Sequence, residues 1–181
     1  NKPTNNKNSY AVFLDQDMVN HPDNIIQNLG SPVNEFQYYS VLIKFLKKFE
    51  IDTGLQIKFA IHPKSRNKNL RNLLEGIPCY EENTAELVRN SSAVLLHAST
   101  AISYAVLFKK PIVFILNEVW KHNTKREIIH VAKYFKQEPI NISKFDYNKF
   151  EYLNNLKINK ESYKSFKKEF IVDGQGIKKT S

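Results

Sequence analysis

His62 and Pro63 end the apolar run of FAIHPKSR, with Lys64, Ser65 and Arg66 directly after them. An imidazole at such a place can give a hydrogen bond or a proton near neutral pH. Pro63 restricts the main chain beside it and so fixes where the ring stands. Further along, Ser99 and Thr100 sit between the apolar run AVLLHA and a helical pattern. Small hydroxyls at the start of a helix, with unpaired N–H groups behind them, can hold a phosphate. The acids Asp15, Asp17, Glu81 and Glu82 also follow apolar runs, with Gln16 and Tyr80 among them. Each residue has a plainer use. Ser99 and Thr100 can be an ordinary N-cap, His62 a hydrogen-bonded strand end, and Lys64 and Arg66 solvated cations. Two motifs far apart in the chain gain meaning only if the fold brings them to one anion.

The elements that would do so follow from periodicity. YAVFLDQD, LQIKFAIHP, IPCYE, AVLLHA, PIVFILN and EPINI read as strands. Between them lie helical patterns. Phe36, Tyr39, Leu42, Ile43, Leu46 and Phe49 recur at three and four residues, and Gly54 closes that stripe. SRNKNLRNLLEG reads as a short helix closed by Gly76. TAELVRNS reads as another, capped by Asn83 or Thr84. STAISYAVLFKK and WKHNTKREIIHVAKYFKQ are the last two before the final strand. Apolar strands alternating with helices predict a doubly wound, Rossmann-like parallel sheet, three layers α/β/α, in a single domain. The expected boundaries are a flexible leader at 1–9, the domain at 10–143, and a charged helical tail at 144–181. Ligands of such sheets bind beyond the carboxyl ends of the strands. That rule selects Asp15–Asp17, His62–Arg66, Tyr80–Glu82, Ser99–Thr100 and Asn117–Glu118.

Bulk properties narrow the function classes. The chain has 181 residues, 27 Lys plus Arg, 18 Asp plus Glu and a formal charge of +9. That charge suits an anionic partner, whether nucleotide, nucleic acid or acidic surface, or simply lysine-rich helix faces. No apolar run reaches membrane-spanning length. The single cysteine, Cys79, excludes an intrachain disulfide and a cysteine metal cage. The histidines lack metal-binding spacing, and no metal or cofactor is expected. His97, inside an apolar strand, reads as a core histidine with one partner. No GxGxxG or GxxxxGK[ST] occurs, which disfavours dinucleotide and P-loop functions. A phosphoacceptor receiver is rejected because the later strands lack its Asp and Lys.

FLDQDM, AIHPKS and NSSAVLLHASTAISYAVLFKKPIVFI resemble the C-terminal, nucleotide-sugar-binding half of GT-B glycosyltransferases. They are similar in particular to bacterial sialyltransferase, polysialyltransferase and Kdo-transferase-like enzymes of capsule and surface polysaccharide synthesis. The resemblance spans roughly Tyr10 to Asn141. It implies that His62-Pro63 is the HP motif and Ser99-Thr100 the Ser/Thr motif at the phosphate of a CMP-sugar, with Ser91-Ser92 an alternative for the second. His62 would be catalytic, and His62, Pro63, Lys64, Ser99 and Thr100 would bind the phosphate. Asp15, Gln16, Asp17, Tyr80, Glu81 and Glu82 would serve the ribose, base or cleft. The implied partners are a missing N-terminal GT-B domain, the nucleotide sugar and a glycan or glycolipid acceptor, with no specific nucleic acid. The implied setting is the cytoplasm, with peripheral contact at the inner membrane face. Alone, the chain is expected to be nearly silent in catalysis. Two alternatives stand: a non-catalytic basic module for nucleic acid or an acidic surface, and a UDP-sugar-dependent transferase or epimerase of the same fold.

Overall fold

The computed structural model describes residues 9–19, 34–65, 67–146 and 154–171. Arg66 and residues 1–8 of the leader expected at 1–9 lie outside these residues, as do 147–153 and 172–181 of the expected tail.

Six parallel strands form the centre: β1 (Tyr10–Leu14), β2 (Gln56–Ala60), β3 (Cys79–Tyr80), β4 (Ala93–Leu96), β5 (Ile112–Leu116) and β6 (Ile140–Asn141). Their spatial order is β3-β2-β1-β4-β5-β6. β1, β4 and β5 are buried along their whole length. Such strands, covered on both faces, are the ones that read as unbroken apolar runs. Alternation along β1 still sorts the faces. Ala11 and Phe13 join one core, while Tyr10, Val12 and Leu14 join the other.

Helices cover both faces, as a doubly wound sheet requires. α1 (Glu35–Thr53) packs on the first core. Asn34 caps it by accepting the Gln37 N–H at 3.2 Å, and Gly54 stops it at φ 70° with its N–H on the Glu50 carbonyl. Phe36 departs from the expected stripe. It is 71% exposed, and Tyr38 and Phe45 are buried instead. At 100° per residue Phe36 falls off the centre of the face that Tyr39, Leu42 and Leu46 define. α2 (Leu70–Leu73) is shorter than its sequence pattern and turns into Gly76 at φ 85°.

α3 (Thr84–Asn90), α4 (Ile102–Leu107) and Phe135, at the end of α5 (His122–Tyr134), pack on the second core. Asn83 holds the N-cap position of α3, but in a left-handed conformation and without a side-chain cap bond. The tail's described part docks on the domain. In α6 (Lys160–Phe166), the Tyr163 hydroxyl donates to the Lys110 carbonyl at 2.6 Å and its ring packs edge-on to Phe135. Phe145 likewise packs edge-on against Phe45. No described helix is long and apolar enough to cross a membrane.

Candidate functional site

The strand order places the reversal of the winding between β1 and β4. Chains leave these two strands in opposite directions, so a crevice opens at their carboxyl ends. β2 flanks β1 on the other side. With about 4.8 Å between neighbours, the ends of β2 and β4 stand about 10 Å apart, with the end of β1 between them. That spacing suits a small anion held from both sides.

A cavity of about 400 Å³ occupies this rim. His62 and Pro63 line it from the end of β2, and Ser99 and Thr100 from the end of β4. Asp15 contributes from the end of β1. Ser103 and Tyr104 line it as well, two residues that the sequence does not mark, and so does Thr84, which the sequence marks only as a candidate helix cap. Thr100, Ser103 and Tyr104 follow helical spacing, a signal that could have grouped them.

His62 is half-buried. Its Nδ1 accepts the Lys64 main-chain N–H at 3.2 Å. An accepting Nδ1 leaves the neutral ring's proton on Nε2, the nitrogen farther from the main chain. This is the tautomer that can donate to a ligand oxygen. Lys64 thus acts on the ring through its main chain, and its own side chain lines neither this cavity nor the neighbouring one.

Ser99 accepts the Ala101 N–H at 3.2 Å through Oγ, which leaves its hydroxyl proton to give. The helix behind it is shorter than STAISYAVLFKK suggests. Ser99, Thr100 and Ala101 form a turn, and α4 itself has six residues. So short a helix aligns few peptide dipoles, so it is the hydroxyls and local amides, more than a macrodipole, that this turn offers to an anion.

The first strand's polar end behaves differently from a solvated loop. Asp15 is 5% exposed. Its Oδ2 accepts the His62 N–H at 3.2 Å and its Oδ1 the Asp17 N–H at 3.1 Å. Burial pushes its carboxyl up to about 6, against the lowering effect of those amide bonds. Asp17 is buried too, in a left-handed conformation at φ 47°. The Gln16 side-chain amide is taken up by Ala98. It donates to the Ala98 carbonyl and accepts the Ala98 N–H at 2.8 Å, so it joins the ends of β1 and β4. Gln16 therefore positions the Ser99 turn and is not among the cavity's lining residues.

The residues after β3 separate. Tyr80 lies opposite Ala60 in the parallel register and shares a different cavity, of about 270 Å³, with Tyr10 and Lys58. The Lys58 ammonium stands 3.7 Å from the Tyr10 ring centroid and 5.4 Å from that of Tyr80. Tyr80 is thus turned away from His62. Glu81 pairs with Arg71 at 2.8 Å. Glu81 and Glu82 line a larger cavity, about 710 Å³, that shares His62 and Pro63 with the first. Ser91, the alternative hydroxyl, is buried and bonded to the Val88 carbonyl, and neither it nor Ser92 lines any of these cavities.

At the end of β5, Asn117 is buried and accepts the Ser143 hydroxyl at 2.7 Å. Glu118 is held down to about 2, first by its hydrogen bond from Lys125 and then by those from Asn141 and Lys144. These residues form a polar network of their own. His97, directly before the Ser99 turn, is fully buried. Its ring makes two bonds where one was expected: Nδ1 to the Ile115 carbonyl at 2.7 Å and Nε2 to the Tyr38 hydroxyl at 2.8 Å. Burial lowers its pKa to about 4, so the ring is neutral. Among the described residues no group of three His, Cys, Asp or Glu is placed to hold a metal.

No protein-family model and no curated sequence matches the chain. Among solved structures it is similar to the glycotransferase of kitacinnamycin, with TM-score 0.50 and 10% identity over 93% of this chain and 40% of that one. It is also similar to the glycosyltransferase SnogD from Streptomyces nogalater, with TM-score 0.48 and 10% identity over 87% of this chain and 37% of that one. At such identity the first likeness is one of fold. The chain spans well under half the length of either protein.

Proposed function

We propose that this chain is the donor-binding domain of a GT-B glycosyltransferase, and that its donor is a CMP-sugar carrying sialic acid or Kdo. The observation that carries the proposal is the shared cavity of His62-Pro63 and Ser99-Thr100 over the central strands. The fold shared with a glycosyltransferase supports it. In the transfer, the bond between the sugar's anomeric carbon and the phosphate oxygen breaks, and the oxygen keeps the electron pair. The Nε2 proton of His62 offsets that growing charge by hydrogen bonding or transfer. The Ser99 and Thr100 hydroxyls hold the same phosphate, while Pro63 and the Lys64 N–H hold the ring in place. In this reading Glu82, which lines the adjoining cavity, takes the nucleoside hydroxyls.

The acceptor site and the catalytic base belong to a second Rossmann-like half, separate from the sheet of the described residues. The acceptor is a surface glycan or glycolipid, met at the cytoplasmic face of the inner membrane. The chain alone binds donor nucleotide and transfers little or nothing.

A thermal-shift panel with CMP, CDP, UDP and an unrelated oligonucleotide tests this reading. CMP should raise the melting temperature most, and His62→Ala should abolish that rise while leaving the unliganded protein folded. A larger response to UDP would reassign the donor. A response confined to the oligonucleotide, falling steeply with salt, would replace the reading with a nucleic-acid-binding one.

A further inference from the structure

The cavity proposed for a phosphate keeps a carboxyl group at its floor. Asp15 lines the same cavity as His62, Ser99 and Thr100. A charged carboxylate there would repel the ligand, and in so dry a place the repulsion would be strong. Yet the group is built in, with its two oxygens on the main-chain N–H groups of His62 and Asp17. We propose that Asp15 is a positioning residue that is neutral whenever an anion fills the cavity, so that phosphate binding takes up one proton from solvent.

The inference rests on the phosphate reading of this cavity. As a neutral acid, Asp15 keeps a carbonyl oxygen to accept from the His62 turn and gains an O–H to donate toward the anion. Its surroundings favour that form. Burial is the main cause of its raised pKa, and the nearby Asp17 adds to it. Tyr38 and Tyr39 from α1 and Cys79 from β3 also feel its charge, and none of them carries a positive charge. From β2 comes His62, and from the β4–α4 turn only hydroxyls. A seated anion adds a further negative charge and raises the carboxyl again. The group starts near 6, so the added shift moves its titration across neutral pH.

The test compares CMP affinity between pH 6 and pH 8 in wild type and Asp15→Asn, so that titration of CMP itself and of His62 cancels in the ratio. Wild-type affinity should fall about tenfold more than that of the variant, and at pH 8 Asp15→Asn should bind more tightly than wild type. Asn has one acceptor oxygen where two N–H groups converge, so the variant could lose its fold. The carboxyl ¹³C resonance of Asp15 in wild type is the second readout, and its midpoint should rise by at least one pH unit when CMP is added. Parallel pH profiles, or an unmoved midpoint in CMP-saturated protein, overturn the inference and leave the phosphate site standing. Absence of CMP and UMP binding at every pH overturns both.

Discussion

Two histidines follow neighbouring parts of one sheet, and their surroundings divide the molecule into a part that is closed and a part that is open. His97, after β4, has both ring nitrogens bonded inside the protein and rings on several sides. Phe13 and Trp120 stand edge-on to it, at 5.8 and 5.6 Å between centroids. His62, after β2, is half-buried, with Nδ1 bonded within its own turn and a cavity on each side. The same side chain is thus a packing unit at one strand end and a candidate reagent at the other. What decides between them is the place in the strand order. β4 carries His97 down into the layer under Tyr38, whereas the chain leaves β2 at the rim.

The comparison can be broken by exchanging the roles. His97→Ala should destabilise the fold by about 3–5 kcal/mol, because it leaves a cavity and strands the Tyr38 hydroxyl and Ile115 carbonyl. His62→Ala should change stability by less than about 1 kcal/mol. Urea unfolding of both variants measures this, and equal losses would erase the distinction. A smaller effect separates the two regions by pH. The folded pKa of His97 lies below its ordinary value of 6.5, at about 4, so its contribution is complete above pH 6.5 and is lost as pH falls from there toward 4. Asp15 runs the other way. Raised from 3.8 to about 6, it favours the fold at low pH and loses that contribution as pH rises through 6. The two slopes oppose each other between pH 4 and 6. His97→Gln should remove one of them, so its stability relative to wild type should change by about 3 kcal/mol between pH 7 and 4. The smallest effect sharpens the link between the regions. Gln16→Ala should cost about 1–2 kcal/mol through loss of its paired bonds to Ala98. It should also weaken CMP binding at the Ser99 turn. An unchanged CMP response in that variant would mean that the turn holds itself.

The fold was legible because burial on both faces leaves a plain mark. YAVFL, AVLL and IVFIL are apolar throughout, and each became a central strand. His62 and Ser99 were legible as rim residues for the same reason, since a strand's end is where its apolar run stops. The rest depended on contacts that no local pattern carries. Asp15-Gln16-Asp17 reads as a polar loop, and no local pattern marks the burial of its two acids or the bonding of Gln16 to Ala98, more than eighty positions away. Tyr80 was assigned to the rim, but in a two-residue strand only the register with Ala60 decides its side. Glu81 looked available until Arg71 paired with it.

Gln16 also bears on the shape of whatever can enter. Dinucleotide folds leave bare glycine backbone at the end of the first strand, and a pyrophosphate nestles against it. In this protein a side chain plugs that notch and clasps the adjacent turn. On the phosphate reading proposed above, an anion would therefore seat beside the imidazole and the Ser99 turn, which line the cavity, and not over the end of the first strand.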